Sequence, residues 1–445
     1  MTLQPLAIRR SALGLLSGTF RSLRHRNYRL FFFGQLISMI GTWLQNTALS
    51  WLVWSITHDS MTMGLMSFLG SIPVLFLTVY AGTLADERPK RTILIMTQVA
   101  AGVQAILLAV AIWTHSESVI VLGAANLLLG IINAFEMPTR QAFVVEMASK
   151  EDVTNAVALN SSVFNAARLI GPAFAGWVIY ALSIDMCFLL NGLSYIAVIV
   201  GLMMMRFDTV VTRTRRDDVT RLEAMKEGVA YLNSVPQFRA LMLMVIGMTI
   251  FGWPYTVGLP AVASHLLAGG ASTYSALLSA NGAGALLAAL TMATFAGKLD
   301  GRKMLAAGLG TFVVGLLLLS MAHTRPVAIT ALVLLGWGII TFFITANTTL
   351  QRQTPDRLRG RVMSIYILGF AGLFPFGSLL AGWFASVFGV ANAFRLCAVS
   401  LMIIGLPSLL YIRKQPRLKT SQAEAIEELL ASEEEVYEAE RISHG

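Results

Sequence analysis

The feature that most limits this chain is a series of apolar runs, each as long as a bilayer is thick. They cover about 30–54, 62–84, 92–114, 118–138, 156–181 and 186–206, and then about 239–263, 273–297, 303–322, 327–349, 363–385 and 391–412. A helix rises about 1.5 Å per residue, so about 20 apolar residues cross the roughly 30 Å of hydrocarbon. Six runs, a polar stretch at about 207–238 and six further runs predict an all-α membrane protein with twelve transmembrane helices in two six-helix bundles. Composition agrees: 13% of residues are charged, against about 25% in soluble domains.

The charges set the expected orientation. Residues 1–29 carry Arg9, Arg10, Arg21, Arg24, Arg26 and Arg29 and no acid. A basic arm ahead of a first span holds the N-terminus in the cytoplasm. With twelve spans the even-numbered connections and the C-terminus are then cytoplasmic too. Of the 33 lysines and arginines, only Arg168, Arg325 and Arg395 lie away from those segments and the span ends that adjoin them. The expected division is a basic arm (1–29), a first bundle (30–206), a linker (207–238), a second bundle (239–412) and an acidic tail (413–445). In the linker, Leu222, Met225, Val229 and Leu232 follow a helical period, which predicts an amphipathic helix on the inner membrane surface. The first 29 residues lack the apolar core of a cleaved signal peptide. A basic segment running straight into a span also argues against a nucleic-acid arm.

The halves echo each other. Gly82-Thr-Leu-Ala-Asp86-Glu87-Arg88-Pro89-Lys90-Arg91 is a charged hairpin after the second run, and Gly297-Lys298-Leu-Asp300-Gly301-Arg302-Lys303 follows the eighth. The loop from Glu146 to Val157 similarly aligns with that from Gln351 to Val362. Six-helix repeats of this kind describe one transporter architecture, with the substrate site near the midplane between the halves.

These residues resemble the major facilitator superfamily, whose hallmark loop has an early Gly, an Asp four residues on and a basic cluster. Leu23-Arg-His-Arg-Asn27-Tyr-Arg-Leu, Gly41-Thr-Trp43-Leu-Gln45, Ala48-Leu-Ser-Trp51 and Gly171-Pro172 are similar to its bacterial branch of transmembrane secretion effectors, which includes enterobactin-type siderophore exporters and macrolide-efflux-like proteins. The resemblance implies a gate carried by Gly82, Asp86, Arg88, Lys90 and Arg91, with Asp300 and Arg302 in the second copy, and a latch from Asp86 to a neighbouring helix. Glu87 and Pro89 depart from the family's Arg and Gly. It also implies that Gly171, Pro172 and Gly176 form a hinge or seal on the fifth helix, and that transport is proton antiport.

Polar residues inside spans are costly unless they face a bundle interior or cavity, so they are the default site candidates. Gln35, Thr42, Gln45 and Asn46 share one side of the first span. Asn126, Asn133 and Arg140 recur every seven residues on the fourth, with Glu136 on the same broad face. Ser161, Asn165, Arg168 and Pro172 form a stripe on the fifth. Gln45, Asn46, Asn126, Asn133 and Arg168 are therefore candidate substrate contacts. The guanidinium of Arg168 suits carboxylates, phosphates and catecholates, though a purely structural Arg held by carbonyls and amides fits the pattern as well. Glu136 is the candidate proton relay, lying too near the inner end to pair with Arg168. In the second half Trp253-Pro254-Tyr255 breaks the seventh span. Trp253, Tyr255 and Trp337 offer an aromatic cavity or simple core packing, and Asn281, Gly282, Gly284 and Asn347 add small or polar faces.

The chain contains no phosphate loop, no zinc-binding His-Glu-x-x-His and no nucleophile elbow. Cys187 and Cys397 both sit in apolar runs. The expectation is a monomer that is not an enzyme, without cofactor or metal, whose partners are a small-molecule substrate, protons and the lipid bilayer of the cell inner membrane. The favoured role is an exporter of a siderophore or amphipathic drug. A metabolite importer, or a membrane sensor with the acidic tail as output, are the alternatives.

Overall fold

The protein is described by a computed structural model covering residues 21–147, 152–206, 221–295 and 299–415, with the side chains of Val79, Asp86, Thr154 and residues 221–224 outside the description. The arm before residue 21, Lys150, Arg213–Asp218 of the linker, Gly297, Lys298 and the acidic tail thus lie outside the described residues. Within them the chain is helical, with no strand.

The helices follow the expected runs. Those of the first half are Arg26–Thr57, Ser60–Glu87, Lys90–Trp113, Val119–Met147, Val153–Ala181 and Ile184–Met203. The second half holds Pro236–Leu266, Ala271–Thr294, Gly301–Ser320, Arg325–Gln353, Asp356–Phe388 and Val390–Lys414. We refer to them as spans one to twelve. Eleven described helices are long and apolar enough to cross a membrane, and the first span is not among them. At 32 residues it is the length of a membrane helix, but its apolar run is interrupted by Gln35, Ser38, Gln45 and Thr47, all of which are buried.

Contacts group the described residues into two compact units. One combines Met1–Thr214 with Pro260–Gly282, and the other combines Arg215–Leu259 with Ala283–Gly445. The end of the seventh span and the first half of the eighth therefore pack with the first six spans.

In the first unit a clasp holds the start of the first span to the fifth and sixth. Asp152 accepts Arg21 Nε at 2.7 Å and faces His25 Nε2 at 2.9 Å. Tyr28 donates its hydroxyl to the Ala156 carbonyl at 2.7 Å. Asn27 bonds the Arg206 backbone in both directions, Nδ2 donating to its carbonyl at 2.6 Å and Oδ1 accepting its N–H at 3.2 Å. Beneath the clasp lies an apolar cluster that includes Phe31, Leu94, Phe143 and Leu202.

The second and third spans are joined by only Arg88 and Pro89. Arg88 has φ −113° and Pro89 φ −59°, so no left-handed residue is needed. Pro89 can therefore stand where the family has Gly. Its fixed torsion suits a helix start, and its carbonyl accepts the N–H of Thr92 at 3.0 Å.

In the second unit the linker helix runs Arg221–Ser234. Its expected apolar stripe divides. Leu232 is buried with its neighbour Tyr231, while Met225 and Val229 are exposed. The polar edge does the docking, because Glu227 pairs with Arg357, at 3.1 Å, and with Arg361 on the eleventh span. The seventh span loses its regular α-helical bonding after Gly247, passing through wider and tighter turns to Leu266. Proline removes a ladder donor, and Pro254 lies within this stretch. There Trp253 packs on Phe343, Phe370 and Phe374, with centroids at 5.4, 5.0 and 6.0 Å. Tyr255 packs on Phe312 at 5.7 Å. Both are thus engaged in aromatic packing inside this unit.

Candidate functional site

The mid-span polar residues of the first unit form a chain of amides. Asn191 Nδ2 on the sixth span donates to Gln45 Oε1 at 2.8 Å. Gln45 Nε2 on the first donates to Gln104 Oε1 on the third at 3.2 Å. Gln104 Nε2 donates to the Ala125 carbonyl on the fourth at 3.2 Å. The next residue, Asn126, donates to the Met66 carbonyl on the second span at 2.6 Å. Tyr195 joins through Thr42 and Asn191, at 3.4 and 3.5 Å. Buried amides that satisfy one another remove the penalty of unpaired polar groups and fix the register of the helices around them.

This girdle places the candidate residues. Gln45 is 1% exposed and donates and accepts within the girdle. Asn126 is half-buried against Gly70 and Met66. Asn46, one position from Gln45, is exposed, and Asn133 is half-buried. Gln104 and Asn191 are equal members of the girdle that the stripe pattern did not single out. Their signal was the same, an amide within an apolar run.

Arg168 stands apart. It lies 15 residues into the fifth span, about 22 Å along it, and is 8% exposed. Its Nη2 donates to Asn281 Oδ1 on the eighth span at 2.6 Å, and Asn281 is itself 3% exposed. Sequence reasoning noted Asn281 only as a polar face, because helical period cannot say which neighbour a residue meets. Glu136 and Arg140, both buried, pair at 3.0 Å one turn apart on the fourth span. Glu136 is thus paired along its own helix.

The proposed hinge residues are points of close helix approach. A Cβ on Gly171 would come within 2.4 Å of Trp43 Cβ, and one on Gly176 within 2.8 Å of Ser275 Cβ. Beyond Gly176 the contacts turn aromatic. Trp51 stacks on Tyr274 at 5.9 Å, and Trp54 donates Nε1–H to Ser264 Oγ at 2.9 Å with the His265 ring 5.2 Å away.

At the other, basic end lie the hairpin residues. Lys90 pairs with Glu146 of the fourth span, and Arg91 Nη2 donates to the Met203 carbonyl at 2.9 Å. Arg88 is exposed, Gly82 is half-buried, and the Asp86 side chain lies outside the description. In the second copy Asp300 caps the ninth span by accepting the Arg302 N–H at 2.9 Å. Arg302 Nη1 donates to the Gln415 carbonyl at 2.7 Å. In each half, then, an arginine in the first turn of the third helix reaches the carbonyls that end the sixth. Positive charge is favoured there by the unpaired carbonyls of a helix C-terminus.

Comparison with known proteins adds the following. The profile of the family described as "Transmembrane secretion effector" matches residues 17–440. The chain is 26% identical over 399 residues to the staphyloferrin A transporter of Staphylococcus aureus, covering 89% of this chain and 98% of that protein. It is 20% identical to macrolide efflux protein A of Streptococcus pyogenes, over 88% and 98% of the two chains. It is 23% identical to the enterobactin exporter EntS of Salmonella choleraesuis, over 89% and 94%. Among solved structures the fold is similar to a bacterial homologue of the human lysosomal transporter Spinster, with a TM-score of 0.67 at 13% identity over 87% and 97% of the chains. The nucleoside transporter NupG gives 0.66 at 12%, over 88% and 100%.

Proposed function

The chain belongs to the transmembrane secretion effector family, and from that membership we propose that it is a secondary active exporter of a small organic molecule. The substrate class is a siderophore or an amphipathic drug, and the relatives named for staphyloferrin A, macrolide and enterobactin support it. Export runs across the bacterial inner membrane by alternating access of two six-helix bundles, 30–206 and 239–412, with both termini in the cytoplasm, and is driven by proton exchange. Asp86, Arg88, Lys90 and Arg91, with Asp300 and Arg302, gate the cytoplasmic side.

The observation that carries this reading is Arg168. A guanidinium buried halfway along a membrane helix is expensive, by about 3 kcal/mol on insertion scales, and such charges mark substrate or ion pathways. Arg168 contacts an anionic group of the cargo, with Asn46 and Asn133 as further contacts. Gln45 and Asn126 shape the wall through the girdle. Glu136 is the proton relay. Loading its carboxylate removes the charge that holds Arg140 at 3.0 Å, so proton binding there alters the fourth span's inner end.

Accumulation of a fluorescent dye or a siderophore in cells lacking the gene, with and without an uncoupler, tests the proposal. Loss of the gene should raise accumulation, and the uncoupler should raise it in wild-type cells to the same level. Equal accumulation in both strains for every cargo tried would overturn it.

A further inference from the structure

One end of the second unit carries far more positive charge than it pairs. From residue 225 onward, the linker helix, the starts of the seventh, ninth and eleventh spans and the ends of the tenth and twelfth hold ten lysines and arginines against three acids. The acids are engaged. Glu227 pairs with Arg357 and Arg361, Asp356 pairs with Arg359, and Asp300 caps the ninth span. Arg239, Lys303, Arg352, Arg413 and Lys414 are exposed and pair with no acid among the described residues.

Four of those five cations adjoin residues that line one cavity. Arg239 follows Phe238, Lys303 follows Arg302, Arg352 precedes Gln353 and Arg413 follows Ile412. The cavity measures about 200 Å³, and buried Leu241 and Leu305 also line it. Cavities of roughly 150 Å³ already admit a benzene ring, so an apolar side chain fits here.

The twelfth span ends at this cavity, and the chain that follows is the acidic tail. Arg302 donates to the Gln415 carbonyl, so the tail departs from a residue bonded to the cavity wall. Residues 416–445 carry eight glutamates, all between Glu424 and Glu440, a stretch with no lysine or arginine. Ile426, Leu429 and Leu430 lie among them. An extended chain covers about 3.3–3.6 Å per residue, so Glu424 reaches about 30 Å from Gln415. A short tether holds two groups at roughly millimolar effective concentration, so contacts that are weak singly are enough. Anionic lipids draw basic segments and repel acidic ones. On a membrane, the favourable seat for this tail is a basic surface of its own chain.

We propose that the tail, 416–445, folds back onto this end of the second unit. Its glutamates lie against Arg239, Lys303, Arg352 and Arg413, and an apolar residue from Ile426, Leu429 and Leu430 fills the cavity. The seat joins the starts of the seventh and ninth spans to the ends of the tenth and twelfth, so a docked tail braces those four ends. Charge holds its rim, and salt weakens it. The docking is independent of the cargo and of how transport is driven.

The test uses the full chain in phosphatidylcholine nanodiscs, one chain per disc, with a carbodiimide that joins carboxylates to lysine amines on contact. Mass spectrometry of the digest should find Lys303 joined to tail glutamates at low salt. The yield should fall about 5-fold in roughly 1 M sodium chloride, where charges are screened within a few ångströms. The triple variant Arg239→Gln, Arg352→Gln, Arg413→Gln keeps Lys303 and every glutamate, and should lose the cross-link about 5-fold as well. Thermal melting confirms that it folds, and the salt series on wild type decides the matter should it not fold. Ile426→Ser, Leu429→Ser and Leu430→Ser together should lower the yield about 3-fold, and an unchanged yield would overturn the seat in the cavity. No Lys303 cross-link at low salt overturns the proposal. Yields indifferent to salt and to the triple variant do so too, because they mean chance encounters along a tether. Loss of the cross-link in discs containing phosphatidylglycerol also overturns it, since the lipid then holds the surface.

Discussion

Asp59 shows how one side chain sets a boundary between spans. Its carboxylate accepts the N–H groups of Met61 and Thr62, at 3.1 and 2.7 Å, and the Thr62 hydroxyl at 2.7 Å. Burial pushes the carboxyl upward, but those three bonds outweigh it and hold the group below its ordinary value. A carboxylate lowered on folding contributes stability above its unfolded value of about 4, and loses it as pH falls through the folded one. Asp59→Ala should therefore lower stability by about 1 kcal/mol at neutral pH, and its melting curve should converge with wild type on acidification below pH 4. A gap unchanged at low pH would show that the cap does not depend on charge. Arg168 is the residue on which the proposed transport role rests. Arg168→Ala should reduce export at least 10-fold at normal surface expression, measured by dye or siderophore efflux from matched cells, and normal export would remove it from the site. The sequence made Arg168 conspicuous because charge in an apolar run has few explanations. It could not show Asn281 across from it, since periodicity gives the face of a helix and not the helix it faces.

At the scale of elements, proline and glycine set how closely helices approach. Pro172 exposes a carbonyl and Gly282 lets the eighth span rest on it. Gly282→Val should cut transport more than 10-fold by forcing the pair apart, whereas Gly310→Val, on the ninth span with open space around it, should be silent. Equal effects of the two in efflux assays would mean that the eighth span's approach is irrelevant. Trp253-Pro254-Tyr255 was readable as a break because proline cannot complete the ladder, and the seventh span is irregular there. The linker helix was readable as a helix, but its ion pairs were not. Glu227 pairs with Arg357 and Arg361 and ties it to the eleventh span. An ion pair between residues about 130 apart leaves no periodic trace.

At the scale of the whole molecule, the duplication seen in two charged hairpins reappears as two matching bonds. Arg91 reaches the Met203 carbonyl at the end of the sixth span, and Arg302 reaches Gln415 beyond the twelfth. Arg91→Ala and Arg302→Ala should each cost about 1 kcal/mol. As they are separate sites, the double variant should lose close to the sum. Melting temperatures of the three proteins check this, and a double variant no worse than either single would refute independence. Span number was legible because the bilayer imposes a length rule on every segment alike. The amide girdle was not, because Gln45, Gln104 and Asn191 lie on three different spans and only packing brings them together. The first span draws a consequence from that girdle. Its buried glutamines leave it too polar to stand with the other eleven, yet it leaves the ribosome before any partner exists. Only His58 and Asp59 separate it from the second span, which is apolar enough to insert. Biogenesis therefore favours the two entering as a helical hairpin, with the first span carried in by the second and its amides waiting for the third and sixth to be synthesised.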